Sequence, residues 1–290
     1  MEQGLVTFGP VHPLTLIQAV REDVFALYQK KGIEPATRDA TLSDILLWAE
    51  EYASQHNGQI GLSQVHWISR HLCAAILRLG RLQFEPKAFC APFLVYEDGE
   101  QMITLAKQGL FCDAAGYLCK EDSASFQTEC STNGDSVWAH LVDPVTGSIA
   151  DKPQWFECTT DQIILDEDTQ VLHVHIPKGG SLDDKSVEAS FSAAKTGFQT
   201  IKFCVCSSWL LDPNLEMVAP PQSNIIRFMQ RFSKFPVAFE VPQIYERVFG
   251  FALDEQGVRS FNSTTSLQRN VQEALNKGTI FRTMGGYCTC

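Results

Sequence analysis

Two features that would place this protein on a membrane or on nucleic acid are missing from its sequence. No run of about 18 consecutive apolar residues occurs, so the sequence predicts no membrane-spanning helix. Positive charge is in deficit, because 23 Lys and Arg stand against 34 Asp and Glu and give a formal net charge of −11. Such an acidic chain binds phosphate backbones and anionic lipid surfaces poorly. The N-terminus also lacks the basic and apolar segments of a secretory signal, so we expect a cytoplasmic protein that binds neither nucleic acid nor membrane.

The sequence also lacks the short motifs that identify common metal and nucleotide sites. It contains no CxxC pair, no HExxH helix motif and no P-loop. Its 10 cysteines include two CxC pairs, Cys204 with Cys206 and Cys288 with Cys290. Alternation along a strand puts both members of a pair on one face, so four sulfurs would meet around a metal only if the two strands became neighbours. Free thiols that pack as small apolar groups are the expected state, and no metal site is predicted.

The N-terminal 80 residues have the hydrophobic periodicity of helices. The chain has 290 residues, 44% hydrophobic and 20% charged, which is a globular composition. Apolar residues recur at spacings of three and four over 14–28, 42–53 and 65–79. These three segments are predicted as amphipathic helices, and Gly80 is predicted to end the third.

After residue 80 the apolar period changes from about 3.6 to 2, which indicates strands. Hairpin turns are predicted at 98–99 (Asp-Gly) and at 132–135 (Thr-Asn-Gly-Asp). A polar, glycine-containing region around 120–136 favours a domain boundary there. We therefore predict a helical N-terminal domain with the first strands at 1–125 and a second domain at 126–290.

The second half contains a predicted strand–helix–strand unit. The segment 169–177 is typical of a strand, 182–196 of a helix and 200–209 of a second strand. A crossover helix of this length makes the two strands parallel. The predicted fold class is α+β, with a helical N-terminal domain packed on a mixed, mostly antiparallel sheet that contains this one parallel unit.

The loop between the first strand and the helix carries Lys178, Gly179 and Gly180. Backbone N–H groups at the start of a helix can bind a phosphate or pyrophosphate, and Lys178 adds positive charge at the same place. Asp183 and Asp184 oppose an anion there. The alternative is a tight connection between strand and helix that binds no ligand.

Several short motifs occur in a fixed order along the chain. They are Asp44-Ile45 with Trp48 and Tyr52, the segment 79–85, His175-Ile176-Pro177, Gly179-Gly180, Ser190, the segment 207–211 and Ser223-Asn224-Ile225. Together they resemble a two-domain family of GNAT-type acyltransferases, in which a helical N-acyltransferase domain precedes a GNAT-like C-terminal domain. The resemblance implies an acyltransferase that moves an acyl group from acetyl-CoA, or another acyl-CoA, to a small amine acceptor.

The resemblance also assigns candidate roles to residues. The pyrophosphate of acyl-CoA is expected on the segment that matches the glycine motif of the family, together with the start of a later helix: Ile176, Lys178, Gly179, Gly180, Ser181 and Asn224. His175, at the end of the strand, is the expected general base, and its alternative is a packed structural histidine. The expected acid for the leaving thiolate is Ser207 or Ser208, or else Tyr245.

Two features leave a second interpretation open. Ile176 stands where the family motif has Gln or Arg, and Pro177 removes one backbone donor. The alternative is a GNAT-like protein that binds a ligand or a partner without catalysis. Arg81 and Glu85, on the strand predicted after residue 80, could bind substrate, but partly exposed charges are their expected state.

Overall fold

A computed structural model of the chain describes residues 1–250 and 253–290. The helices are α1 (Glu2–Phe8), α2 (His12–Ala19), α3 (Arg21–Lys30), α4 (Pro35–Leu42), α5 (Asp44–Gln55), α6 (Val65–Leu72), α7 (Asp184–Gly197), α8 (Asn224–Met229), α9 (Glu255–Ser260) and α10 (Ser266–Asn276). The strands are β1 (Leu77–Leu79), β2 (Leu82–Ala88), β3 (Phe93–Asp98), β4 (Gln101–Ala106), β5 (Phe111–Cys112), β6 (Phe126–Gln127), β7 (Cys130–Asn133), β8 (Ser136–Val142), β9 (Gln154–Glu157), β10 (Ile163–Leu165), β11 (Gln170–His175), β12 (Phe203–Ser208), β13 (Ser233–Pro236) and β14 (Met284–Thr289). Short 3₁₀ segments lie at Glu121–Ser123, Thr160–Gln162, Trp209–Leu211 and Pro213–Met217, and a π-helical turn lies at Tyr245–Phe249.

The chain forms two compact units that are discontinuous in sequence. The first unit contains Met1–Pro86 and Leu172–Thr200, and the second contains Lys87–Val171 and Ile201–Cys290. The N-terminal part is helical, and the strands are mostly antiparallel with one parallel pair. The predicted α+β class is therefore confirmed.

The first unit shows where helix prediction failed. The segment 14–28 is two helices, α2 and α3, which meet at Val20. The segment 65–79 is helical only as far as Leu72, because Ala74 adopts a left-handed φ of 48° and β1 follows. The prediction that Gly80 ends a helix was wrong.

Gly80 instead belongs to the turn between two antiparallel strands. Leu79 of β1 pairs with Leu82 of β2, so Gly80 and Arg81 form a two-residue hairpin loop. The φ of Gly80 is 72°, which favours glycine. A Cβ atom at Gly80 would also lie 3.0 Å from the hydroxyl of Ser190 on α7. Both its conformation and this close approach therefore require glycine.

The second unit confirms the two predicted hairpins. Asp98 pairs with Gln101 across β3 and β4, and Asn133 pairs with Ser136 across β7 and β8. Aromatic and aliphatic side chains of these strands and of β12, β13 and β14 form one of its cores, which includes Phe93, Val205 and Tyr287.

The last strand lies later in the chain than the sequence predicts. The residues 279–284 predict a final strand, but β14 begins at Met284 and contains two glycines. A side chain at Gly285 would overlap the ring of Phe235 on the neighbouring strand β13. The glycines are therefore there for close packing and do not interrupt the strand.

Among the described residues, none of the helices has the length and apolar character needed to cross a bilayer.

Candidate active site

Two helices and two strands of the first unit place polar side chains together. Helical spacing puts Asp44, Trp48 and Glu51 on one face of α5, and Trp67, Arg70 and His71 on one face of α6. Strand alternation puts Gln83 and Glu85 on one face of β2, and His173 and His175 on one face of β11. We use the name polar cluster for the side chains that contact one another here: Asp44, Trp67, Arg70, His71, Gln83, Glu85 and His175.

The predicted base His175 is held by a buried carboxylate. Its Nε2 atom lies 3.4 Å from Oε2 of Glu85. The other carboxylate oxygen of Glu85 forms an ion pair with the guanidinium of Arg70. The Glu85 side chain is 9% exposed, whereas that of His175 is 29% exposed. The expectation of a partly exposed Glu85 was therefore wrong. An Nε2–H that points at Glu85 leaves the lone pair of the imidazole on Nδ1.

An aromatic ring limits the other side of His175. The indole of Trp67 meets the imidazole of His175 edge-on, with ring centroids 4.9 Å apart and planes inclined at 76°. The guanidinium of Arg70 lies 5.8 Å from the indole centroid. His175 is therefore fixed in orientation but still accessible to solvent, which is what a general base requires.

Asp44 lies beneath Trp67 as the centre of a hydrogen-bond network. Its Oδ2 accepts the indole N–H of Trp67 at 2.7 Å and that of Trp48 at 3.2 Å. Its Oδ1 accepts from the side-chain amide of Gln83 at 3.0 Å. The Asp44 side chain is only 3% exposed.

His71 completes this network as a neutral ring. Burial lowers the pKa of His71 below its usual range, although the Trp67 carbonyl and Asp44 act in the opposite direction. In the neutral ring Nδ1 donates to the carbonyl of Trp67 at 2.9 Å, and Nε2 accepts from Gln83 at 3.2 Å. The amide of Gln83 thus has both its N–H groups occupied, and a flipped amide would turn its oxygen towards the carboxylate of Asp44. Its Oε1 atom is buried without a hydrogen-bond partner.

The glycine loop follows His175 and is tied to the hairpin between β1 and β2. Gly179 and Gly180 both have left-handed φ angles, 81° and 73°. The Arg81 side chain donates to the carbonyls of Pro177 at 2.9 Å and of Ser181 at 3.1 Å. Apart from its two neighbours in the chain, none of the described residues has an atom within 4 Å of the position of a Cβ on Gly179, so this point of the loop faces open space.

Charges beside the loop are already partly satisfied. Lys178 forms an ion pair with Glu51 of α5. Asp183 caps α7 by accepting the backbone N–H of Ser186 at 2.9 Å, and these hydrogen bonds lower the pKa of the Asp183 carboxyl. Ile176 is half-buried and Ser181 is exposed. The loop therefore offers backbone amides, but its lysine and one helical N–H have partners within the protein.

The remaining predicted site residues lie in the second unit. Ser207 is exposed, whereas Ser208 is buried and accepts the backbone N–H of Leu210 at 3.2 Å. Asn224 is the first residue of α8, which Ser223 caps. Tyr245 is buried and donates to Glu255 at 3.3 Å, and burial raises the pKa of Tyr245 to about 12. Ser208 and Tyr245 thus already have structural hydrogen bonds.

The two CxC pairs do lie on neighbouring strands. Cys204 of β12 is directly opposite Cys288 of β14. Hydrogen bonding to Cys288 and Cys290, followed by burial, raises the pKa of the Cys204 thiol. In the described part of the chain, no group of three or more Cys, His, Asp or Glu side chains is arranged to hold a metal ion.

Sequence profiles of known families identify both parts of the chain. The GNAT-like C-terminal domain profile matches residues 76–288, which is more than half of the sequence. The chain belongs to this family. The profile of the N-acyltransferase N-terminal domain matches residues 2–74. The resemblance to a two-domain GNAT-type family is thereby confirmed, and the boundary predicted at residue 125 stays a prediction.

Solved structures of acyltransferases share the fold of this GNAT-family chain. A mutant acyltransferase in complex with octanoyl-CoA aligns with a TM-score of 0.62 at 19% identity, over 96% of this chain and 66% of that one. An acyltransferase in complex with decanoyl-CoA and teicoplanin aligns with a TM-score of 0.58 at 20% identity, over 94% and 63%. A third, with CoA and 10C-teicoplanin, aligns at 0.57 and 21% identity, over 94% and 63%. The chain thus spans just under two thirds of these structures, and no curated protein matches it significantly.

Sequence reasoning missed most of the polar cluster. Trp67, Arg70 and His71 belonged to no motif, and Asp44 and Gln83 entered only as part of the family resemblance. A signal was present, since 67, 70 and 71 share one face of a helix whose apolar residues lie elsewhere. Polar residues that recur at this spacing on two successive helices would have pointed to a common site.

Proposed function

We propose that this protein is an acyl-CoA-dependent N-acyltransferase in which His175 is the general base. The observation that carries the proposal is the setting of His175: Nε2 is 3.4 Å from the buried Glu85 carboxylate, and the ring rests edge-on against Trp67. Membership of the GNAT-like family supports the type of reaction.

In the proposed reaction an amine nitrogen attacks the carbonyl carbon of the acyl thioester. The Nδ1 lone pair of His175 takes the proton that the amine loses, directly or through one water, and Glu85 stabilises the resulting imidazolium. The tetrahedral intermediate then collapses, the C–S bond breaks, and the CoA thiolate leaves and takes up a proton. Of the predicted acids, Ser207 is the exposed one, so it is our candidate for that last step.

The proposed donor is an acyl-CoA of medium chain length, since the similar structures contain octanoyl-CoA and decanoyl-CoA. Its pyrophosphate is proposed to bind the backbone amides of the loop from Ile176 to Ser181. On binding, Lys178 would leave its ion pair with Glu51 and pair with a phosphate instead. The proposed acceptor is a small molecule that carries an amine. Two of the similar structures contain teicoplanin or 10C-teicoplanin, so we include amines on larger molecules in the proposed acceptor class.

Release of CoA thiol tests the proposal directly. The purified protein is incubated with acetyl-, octanoyl- and decanoyl-CoA and a panel of amines that includes simple amines, amino sugars and glycopeptides. We expect acceptor-dependent CoA release that falls on the order of 10²-fold or more in His175→Gln. The absence of both release and binding for every acyl-CoA would contradict the proposal.

Binding to the loop has its own matched pair of variants. Gly179 has a left-handed φ of 81° and open space around it. Asn and Asp tolerate that conformation better than other residues, so Gly179→Asn and Gly179→Asp differ mainly in charge. If the pyrophosphate lies on the loop, calorimetry should show acyl-CoA affinity clearly weaker in Gly179→Asp than in Gly179→Asn. Equal affinities would place the pyrophosphate elsewhere.

A GNAT-like protein that binds its ligand without turnover is the second candidate. The Lys178–Glu51 ion pair and the Asp183 cap favour it, because both reduce the attraction of the loop for an anion. Binding of acyl-CoA with no acceptor-dependent release across the panel would support this second function.

A further inference from the structure

The carboxylate of Asp44 controls the orientation of Trp67. An indole has a single polar atom, so its N–H fixes the rotation of the whole ring when it is hydrogen-bonded. The N–H of Trp67 donates to Oδ2 of Asp44 at 2.7 Å, the shortest hydrogen bond that this carboxylate receives. Asp44 starts α5 and Trp67 lies on α6, so this bond links two helices.

Trp67 in turn is packed between two imidazoles. Its ring centroid is 4.9 Å from that of His71 and 4.9 Å from that of His175, with both contacts edge-on. His71 is held on its far side by Gln83, which also donates to Asp44. A rotation of the indole would therefore remove the ring against which His175 rests.

The energetic cost of Asp44 suggests a role beyond packing. Its side chain is 3% exposed, its hydrogen-bond donors are two indoles and an amide, and Nε2 of the buried His71 lies 3.4 Å from its Oδ2. Burying a carboxylate with no Lys or Arg among these partners costs free energy that an apolar side chain of similar size would avoid. The cost of burying Asp44 is explained if the site needs the orientation that this carboxylate gives to the Trp67 indole.

We propose that Asp44 is a positioning residue for acyl transfer: its buried carboxylate fixes the Trp67 indole, and the indole fixes the imidazole of His175. This inference rests on the proposed function of His175 as the base. Asp44 touches neither substrate in this scheme, and its effect passes through Trp67.

The test combines Asp44→Asn, Trp67→Phe and the double variant with a matched control. Trp138→Phe removes an indole–carboxylate hydrogen bond of similar length, 3.0 Å to Glu129, from the second unit. We expect both single variants to lower kcat on the order of 10²-fold with little change in the KM for acyl-CoA, since a misplaced base costs about this much. The double variant should lose no more than either single one, and Trp138→Phe should match the wild type.

A second readout does not depend on turnover. Edge-on contact with Trp67 gives the ring protons of His175 a ring-current shift, which NMR detects in protein with labelled histidine and which His175→Gln assigns. Asp44→Asn should change that resonance and Trp138→Phe should not. If the wild type has no acyltransferase activity, the proposed function fails while this readout still decides the positioning role.

Three results would overturn the inference. One is an Asp44→Asn variant that keeps the wild-type kcat, and another is an unchanged His175 resonance in a folded Asp44→Asn protein. The third is additive losses in the double variant, which would mean that Asp44 and Trp67 act independently. If Asp44→Asn does not fold, the kcat of Trp67→Phe replaces it, because this variant removes the same hydrogen bond and keeps an aromatic ring, and a wild-type kcat would then overturn the inference.

Discussion

Replacing Ser190 with alanine should destabilise the first unit through the hairpin between β1 and β2. The Ser190 hydroxyl is fully buried and accepts the backbone N–H of Arg81 at 2.9 Å and that of Leu82 at 3.3 Å. It donates its own hydrogen to the carbonyl of Ser186 at 2.9 Å. Alanine at this position removes the side-chain acceptor of these two backbone donors.

The magnitude follows from those two donors. A buried N–H without a partner costs about 1–3 kcal/mol, and the longer bond to Leu82 contributes at the lower end of that range. We therefore expect Ser190→Ala to lower the free energy of unfolding by about 2–4 kcal/mol. For a domain of this size that is a fall in Tm on the order of 10 °C.

Urea and thermal unfolding measure the loss, and hydrogen exchange locates it. The amides of Arg81 and Leu82 should lose protection in Ser190→Ala. Thr196→Ala is the matched control, because it removes an exposed hydroxyl that donates to Ser192 at 3.0 Å on the same helix. The control should change stability by less than about 0.5 kcal/mol. A Ser190→Ala protein as stable as that control, or one with unchanged protection of both amides, would refute the reasoning.

Three further outcomes are expected. Glu85→Gln should lower the rate of acyl transfer on the order of 10²-fold in steady-state assays, because His175 loses the carboxylate that orients and stabilises its protonated form. Burial raises the pKa of Asp212 to about 6, above about 3.9 in the unfolded chain, so between about pH 4 and pH 6 the folded state binds the extra proton. The wild type should therefore lose about 2–3 kcal/mol of stability relative to Asp212→Asn as the pH rises through that interval, as urea unfolding would show. Burial also raises the pKa of Cys206, so mass spectrometry after brief alkylation near neutral pH should find Cys206 unmodified while the exposed Cys90 reacts.

Elements whose signals are local were predictable from the sequence. The sequence Thr265-Ser266-Leu267-Gln268 has the spacing of a capping box and predicts a helix start, and this capping box does start α10. Both hairpin turns lie where glycine follows a polar residue. The strand–loop–helix around Gly179 was also correct, since its apolar alternation, its glycines and the helix that follows are all contiguous. In each case the residues that determine the structure lie within a few positions of one another.

The end of the helix predicted over 65–79 could not be read from local signals. The apolar residues after position 72 continue the helical spacing, so the sequence does not separate α6 from β1. In the structure Ala74 adopts a left-handed φ of 48°, and the hairpin that follows is bound by a distant residue, since the N–H of Arg81 donates to Ser190, 109 residues later.

The polar cluster escaped prediction for a related physical reason. On an amphipathic helix the polar face normally faces water, so a polar residue such as Asp44 on that face gives no local signal of a buried site. β2 reverses this expectation, because the face it turns to the helices carries Gln83 and Glu85 instead of aliphatic side chains. Two facing polar surfaces are stable only when most of their groups find partners, and here the indoles and the amide N–H groups of Gln83 find them in the carboxylate of Asp44 and in His71, while Oε1 of Gln83 does not. Such a network stabilises the fold less than an apolar core would. We therefore propose that this network around the partly exposed His175 is retained for the proposed reaction, and the pairing of β2 with these helices is the part of it that local sequence patterns do not contain.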